Sequence, residues 1–264
     1  MEWYPTPSYL LKRKVILDFL AGTGTRTFLE VGCGAGDLLV SLAKQGYRGL
    51  GIDIAEDAVA AARSRLSGNL VAVRVMDVSE VADRFDVVIA SEVLEHCEDD
   101  SGFLQQLKER IVPGGWLLLT VPAHMNKWGA NDDFCGHLRR YERAEIQEKI
   151  GRAGFELQQV CSYGVPLYNL MKPLYDRAIA RRMQHGEEVA ERTRKSGGMW
   201  LFKRLGLLFR LLFNDITLQP FYAMQRLFFA SELGNGYFVA ARTRIDEVPG
   251  ASSINFTTTD SIRP

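Results

Sequence analysis

Short apolar runs alternate with segments of helical period along the first two thirds of the chain. Leu10, Leu11, Val15, Ile16, Phe19 and Leu20 recur at helical spacing between Pro7 and Gly22, which predicts an amphipathic helix over residues 8–20. Apolar stretches then predict strands at 27–31, 49–53, 70–76, 85–90 and 116–121, with helices over 37–45, 56–66 and 101–111 between them. Buried strands joined by helices form a parallel sheet covered on both faces. The pattern lapses into a polar stretch over 122–140, longer than most connections and therefore a candidate functional loop. A helix over 143–151, a strand over 155–161 and a last strand over 237–241, set off by Gly234-Asn235-Gly236, complete the reading.

This pattern divides the chain into a core of residues 1–164 and 237–245, a helix-rich insertion over 165–236, and a Ser/Thr-rich tail over 246–264 expected to fray. With 264 residues, 47% of them hydrophobic, the chain is long enough for a substantial core and too apolar to be disordered. Four dispersed cysteines without a CxxC pair, and no histidine at zinc-ligand spacing, argue against a disulfide framework and against structural zinc, and no metal site is expected. The N-terminus shows no signal-peptide pattern, and no run of 18 apolar residues lacks a charge. A reduced, cytoplasmic protein is the expectation.

The formal charge of zero, from 32 basic and 32 acidic residues, is a cancellation. Residues 75–109 carry ten acids against Arg84 and Lys108, whereas 177–210 carry nine basic residues against Glu187, Glu188 and Glu191. Net charge alone therefore decides nothing about an anionic partner.

The chemistry gathers at strand ends. The first strand runs into Glu30-Val31-Gly32-Cys33-Gly34-Ala35-Gly36 directly before a helix, where glycines let the backbone approach a ligand and leave helix N–H groups free. A dinucleotide fingerprint would need its third glycine at position 37, which is Asp37; the spacing is G-x-G-x-G, with Glu30 two residues ahead. An acidic group there suits a ligand with an ammonium better than a pyrophosphate. Asp53 ends the second strand, as a carboxylate bonding two ribose hydroxyls should, although an NAD site would use it too. Asp77 ends the third strand, and the fourth runs into Ala90-Ser91-Glu92-Val93-Leu94-Glu95-His96.

The ordered strings LEVGCGAG, GIDIAEDAV, MDV, FDVVIASEVLEH and VPGGWLLLTVP, spanning roughly 28–159, resemble the class I S-adenosylmethionine-dependent methyltransferases, in particular the bacterial type 11 group. The resemblance implies a Rossmann-like α/β fold with seven mostly parallel strands, helices on both faces and an antiparallel last strand. It also implies that Gly32, Gly34 and Gly36 pack against S-adenosylmethionine and that Glu30 helps to hold its amino-acid end. Asp53, with Ile54 beside it, would hold the ribose; Asp77 would hold the adenine, with backbone from Met76 and Val78. Glu92 would face the methionine portion.

The loop after the fifth strand contains Gly136-His137-Leu138-Arg139-Arg140-Tyr141, a GHxRRY string resembling one in a subset of these enzymes associated with glycolipid and polysaccharide gene sets. Chemically, His137 suits a base near neutral pH, and Arg139 and Arg140 suit an anionic group of the acceptor, with Tyr141 completing the candidate catalytic set. In the alternative reading, His137 and Tyr141 lock the loop while the arginines cap a helix or pair with Glu142 and Glu145. Ahead of the first strand, Trp3, Tyr4, Tyr9 and Arg13 are placed either to close over the cofactor or to pack the core.

Within the insertion, residues 201–213 put Lys203, Arg204 and Arg210 on one side of a helix and Leu201, Leu205, Leu208 and Leu212 on the other. That arrangement resembles an interfacial helix on an anionic membrane, the alternative being a lid packed on the sheet with a solvated basic face. The reading favours O-methylation of a small molecule, glycosidic or lipid-linked. RNA or protein methylation and a non-catalytic cofactor-binding module stand as alternatives. Against nucleic acid, the fourth strand lacks a (D/N)PPY continuation and 177–195 lacks interleaved stacking aromatics.

Overall fold

In the computed structural model, residues 5–183 and 212–245 are described. The predicted interfacial helix over 201–213, the tail over 246–264, and Trp3 and Tyr4 lie wholly or largely outside them.

The chain opens with α1 (Pro7–Ala21), whose start is fixed by the Thr6 side chain accepting the Tyr9 N–H and by Pro7 in the first turn. Alternation follows through β1 (Thr27–Val31), α2 (Asp37–Lys44), β2 (Arg48–Asp53), α3 (Glu56–Arg65), β3 (Val71–Val75), β4 (Phe85–Ser91), α4 (Asp100–Glu109) and β5 (Ile111–Pro122). Next come α5 (Ala130–Cys135), α6 (Arg143–Arg152), β6 (Glu156–Tyr163), α7 (Leu167–Met183), α8 (Gln219–Arg226) and β7 (Gly236–Arg242).

The seven strands form one sheet in the order β3-β2-β1-β4-β5-β7-β6. β1 to β5 pair parallel, whereas β7 runs antiparallel between β5 and β6, as the resemblance implied. The order reverses between β1 and β4, and ligands of open α/β sheets bind beyond the strand C-termini at such a switch point. Two apolar layers cover the faces, one built on Leu29, Ile52, Val88, Leu117 and Val239, the other on Phe28, Leu39, Val87, Leu118 and Phe238. Residues adjacent along each strand fall in opposite layers, which is the period-two pattern of a strand buried on both sides.

Two predicted boundaries move. β5 begins at Ile111 rather than at Trp116, because the Pro113-Gly114-Gly115 interruption is absorbed as an irregularity against β4 and Gly114 takes φ +74°. The polar stretch after β5 is not one loop but holds α5, ended by Gly136 at φ +74°.

The described parts of the insertion pack on the core. Leu218 and Tyr222, from α8 and the residue before it, meet Leu10 and Leu11 of α1, and Ile179 of α7 meets Phe134 and Cys135 of α5. Arg13 ties α1 to Asp37 at the start of α2 and, at 2.7 Å, to Asp215 in the insertion.

Candidate active site

The first half of the site is the turn after β1. Gly32, Gly34 and Gly36 all have positive φ, a region that costs an L-residue roughly 1–2 kcal/mol. Their surroundings differ. A Cβ on Gly32 would stand 2.6 Å from Val93 Cγ2, and one on Gly36 2.8 Å from Ala62 Cβ, so these two glycines are needed for packing. A Cβ on Gly34 would meet nothing within 4 Å, so its bare backbone faces open space at the sheet edge.

Asp53, at the end of β2, stiffens this turn by accepting the Gly34 N–H and the Ala55 N–H, each at 2.9 Å. Each carboxylate oxygen thereby keeps a lone pair for a further donor. Ile54 beside it is 78% exposed, an apolar plate next to the carboxylate. Asp77 is exposed and caps the turn at Val78, accepting from the Ser79 N–H at 2.9 Å and the Ser79 hydroxyl at 2.6 Å; these bonds hold its carboxyl below the usual range. Met76 is half-buried and Val78 buried beside it.

Glu30 is buried, and its Oε2 has no hydrogen-bond partner among the described residues. Burial first, and then the charge of Asp37, push its carboxyl well above the usual range. Such a group costs stability unless a cation meets it. A buried carboxyl with one oxygen unpartnered among the described residues, beside an open glycine turn, fits the ammonium of an amino acid, and Asp53 with Ile54 fits a nucleoside. The donor set therefore matches S-adenosylmethionine and disfavours a pyrophosphate.

The second half follows β4. Glu92 sits at φ +58°, accepting the Tyr163 hydroxyl at 2.7 Å with Lys12 Nζ 3.7 Å away. Burial works to raise its carboxyl, but Lys12 and the Tyr163 hydroxyl outweigh it and hold the group below the usual range. Three residues on, Glu95 is wholly buried, and neither of its oxygens has a hydrogen-bond partner among the described residues. Burial and then the Glu92 charge push this carboxyl well above the usual range.

The loop brings His137 to the same place. Its Nδ1 stands 2.8 Å from Asp132 Oδ1, and its Nε2 lies 3.7 Å from Glu95 Oε1. A carboxylate oxygen only accepts, so Nδ1 carries the proton and Nε2 is turned inward. The Leu138 N–H donates to the Glu95 carbonyl at 2.9 Å, which fixes the loop over the turn.

The three neighbours expected beside His137 as acceptor-facing groups are turned to protein partners instead. Arg140 is buried and forks onto Asp132 at 2.8 and 2.9 Å, with a third bond to the Ala123 carbonyl at 2.9 Å. Arg139 donates to Asp100 and to the Glu98 carbonyl, both at 3.1 Å. Tyr141 is fully buried and donates to Asp100 at 3.0 Å and the Leu94 carbonyl at 3.2 Å. The arginines therefore pair, but with Asp132 and Asp100 rather than with Glu142 and Glu145.

Sequence reasoning did not single out Lys12, Glu95, Asp132 or Tyr163. For Glu95 a signal was present: an acid directly before His96 in a strand-end string already rich in polar groups. Asp132 carried none, since an acid in a polar loop is ordinarily solvated.

A family model described as a methyltransferase domain matches residues 8–160, more than half of the chain. The chain belongs to this methyltransferase family. Ubiquinone biosynthesis O-methyltransferase from Nitrosomonas europaea is 33% identical over 117 residues, covering 42% of this chain and 50% of that protein. The chain spans at most about half the length of the curated relatives of this kind first matched.

Among solved structures, magnesium protoporphyrin IX methyltransferase from Synechocystis PCC 6803 with bound S-adenosylhomocysteine aligns with TM-score 0.53 at 21% identity, covering 61% of this chain and 79% of that one. The [4+2]-cyclase SpnF aligns with TM-score 0.58 at 17% identity, covering 90% and 81%. At these identities the structures show the shared Rossmann-like fold. S-adenosylmethionine is the cofactor of this family, and Glu30, Gly34 and Asp53 have the chemistry to hold it.

Proposed function

We propose that the protein transfers a methyl group from S-adenosylmethionine to a hydroxyl of a small-molecule acceptor. The cofactor supplies an electrophilic sulfonium methyl: the acceptor oxygen forms the new C–O bond as the S–CH3 bond breaks, leaving a thioether and one proton to be removed. Much of the acceleration in such a displacement comes from holding the nucleophile in line.

One observation carries the reading. His137 is oriented by a buried carboxylate, with Nδ1 on Asp132 at 2.8 Å and Nε2 turned toward the turn after β4. An imidazole held in this tautomer suits the handling of a hydroxyl proton, whereas an amine acceptor binding as its free base needs no such group. The O-methyltransferase name of the Nitrosomonas europaea relative supports the same acceptor atom.

The acceptor is amphipathic in this reading, of a glycosidic or lipid-linked kind. Leu170 and Leu174 on α7 are 72% and 66% exposed, and Leu212 and Ile216 expose further apolar surface in the insertion. No helix among the described residues is long and apolar enough to cross a membrane.

The test is incubation of the protein with methyl-labelled S-adenosylmethionine and lipid and polar metabolite extracts, followed by mass spectrometry. A labelled methyl ether supports the proposal, and a methyl ester alone contradicts its hydroxyl acceptor. Label found only on nitrogen or carbon, or on no acceptor, contradicts it.

A further inference from the structure

Glu95 and His96 follow β4, and His137 lies on the loop after β5; no spacing in the sequence announces them as a set. In the fold, one ligand atom from each lies within 4.8 Å of the others. We propose that Glu95, His96 and His137 form a binding site for a divalent transition-metal ion.

Four observations support it. Both oxygens of Glu95 lack a hydrogen-bond partner among the described residues although the residue is wholly buried, so the carboxylate is aimed into the cluster with nothing to satisfy it. A buried carboxylate of this kind calls for a cation or a proton. His137 has the arrangement of a metal-ligating histidine, one ring nitrogen on a carboxylate and the other facing the cluster. Donors at about 2.1 Å from a tetrahedral ion stand about 3.4 Å apart, and the 3.7 Å between His137 Nε2 and Glu95 Oε1 is within a few tenths of that. His96 packs edge-on to His137 with ring centroids 4.9 Å apart, and its Nδ1 donates to the Gly136 carbonyl at 3.3 Å, which leaves Nε2 as the ring nitrogen with a lone pair to offer. His96 is also exposed, giving an ion a path from solvent.

Two imidazoles and one carboxylate leave coordination positions open and suit zinc, iron(II) or cobalt(II) better than magnesium or calcium. Only the ion's role rests on the methyl-transfer reading. There, an ion held at His137 Nε2 would lower the pKa of an acceptor hydroxyl, so that His137 would act on the hydroxyl proton through the ion, with water taking the proton.

The test uses the full chain freed of metal by chelation and titrated with cobalt(II) alone, followed by its visible bands, then with zinc(II) as competitor. One cobalt per chain, displaced by zinc, is expected, with affinity at least about tenfold weaker in Glu95→Gln and in His137→Gln. His96→Gln changes an exposed position, keeps the fold measurable by circular dichroism, and is expected to weaken binding to a similar degree. Absence of saturable uptake by the wild type, or uptake unchanged in His96→Gln and Glu95→Gln, overturns the site. S-adenosylmethionine calorimetry on the same sample separates the two readings: cofactor binding without cobalt uptake rejects the ion site alone, and cobalt uptake without cofactor binding rejects methyl transfer alone.

Discussion

Asp132 and His137 stand five residues apart and meet in a 2.8 Å hydrogen bond, with the loop between them ending α5. Arg140 closes the other side of the same carboxylate at 2.8 and 2.9 Å, and the Gly129 N–H caps it at 2.8 Å. One buried acid thus organises the base candidate, the loop and a buried guanidinium.

Replacing Asp132 with Asn should therefore be costly. It leaves Arg140 buried without its counter-charge, a loss of roughly 3–5 kcal/mol for a broken buried pair. Its carboxyl is held down to about 2, against the burial that works to raise it, by the bonds from His137 and Arg140 and the Arg140 charge. A depressed carboxylate stabilises the fold above its unfolded value of about 3.9 and loses that contribution as pH falls toward its folded value. Denaturant titrations should show the wild-type advantage over Asp132→Asn at pH 7 shrinking between about pH 4 and pH 2; an advantage independent of pH there would contradict this role.

His137→Ala should cut turnover by roughly 10²–10⁴-fold, the range for a positioned proton-transfer group, while S-adenosylmethionine affinity stays within a few fold. The cofactor residues lie on other strand ends, so steady-state kinetics paired with calorimetry separates the two effects. Unchanged turnover would remove His137 from the chemistry.

Glu30→Gln should have opposite effects on stability and binding. A carboxyl whose folded value is raised binds its proton more tightly in the folded chain, so folding is penalised once pH exceeds the unfolded value. The Gln variant, which cannot ionise, should be more stable without cofactor at pH 7. It should bind S-adenosylmethionine roughly 10–100-fold more weakly, the worth of one charge-assisted hydrogen bond. Thermal melting and calorimetry on the same sample check both signs.

The glycines of the turn separate packing from cofactor approach. Gly32→Ala must push its Cβ into Val93 and should lower stability clearly, whereas Gly34→Ala meets open space and should cost only about 1 kcal/mol for its positive φ. Gly34→Ala should nevertheless lower cofactor affinity at least about tenfold, because the new methyl stands where the ligand approaches. A Gly34 variant that binds normally would place the ligand elsewhere.

What could be read from the sequence follows how local each signal is. The sheet was legible because strand and helix periods are local, and the strand-end residues Glu30, Asp53 and Asp77 because motif order fixes them. α5 was hidden in its own six residues, which include Asn131, Asp132 and Asp133 and carry too little apolar period to announce a helix. The roles of Arg139, Arg140 and Tyr141 depended on which acids the loop would meet, and Asp100 comes from a different element altogether. Glu92 and Tyr163 are 71 residues apart, and they meet because β4 and β6 run in the same direction and end at the same edge of the sheet.

The central claim is that the edge beyond β1 and β2 holds a nucleoside with an ammonium rather than a dinucleotide with a pyrophosphate. Parallel calorimetric titration of the protein with S-adenosylmethionine and with NAD tests it most directly. Saturable one-to-one binding of S-adenosylmethionine, strongly reduced in Asp53→Ala and in Glu30→Gln, with no heat from NAD, is the expected result. Binding of NAD in preference, or S-adenosylmethionine binding that neither substitution alters, would contradict it.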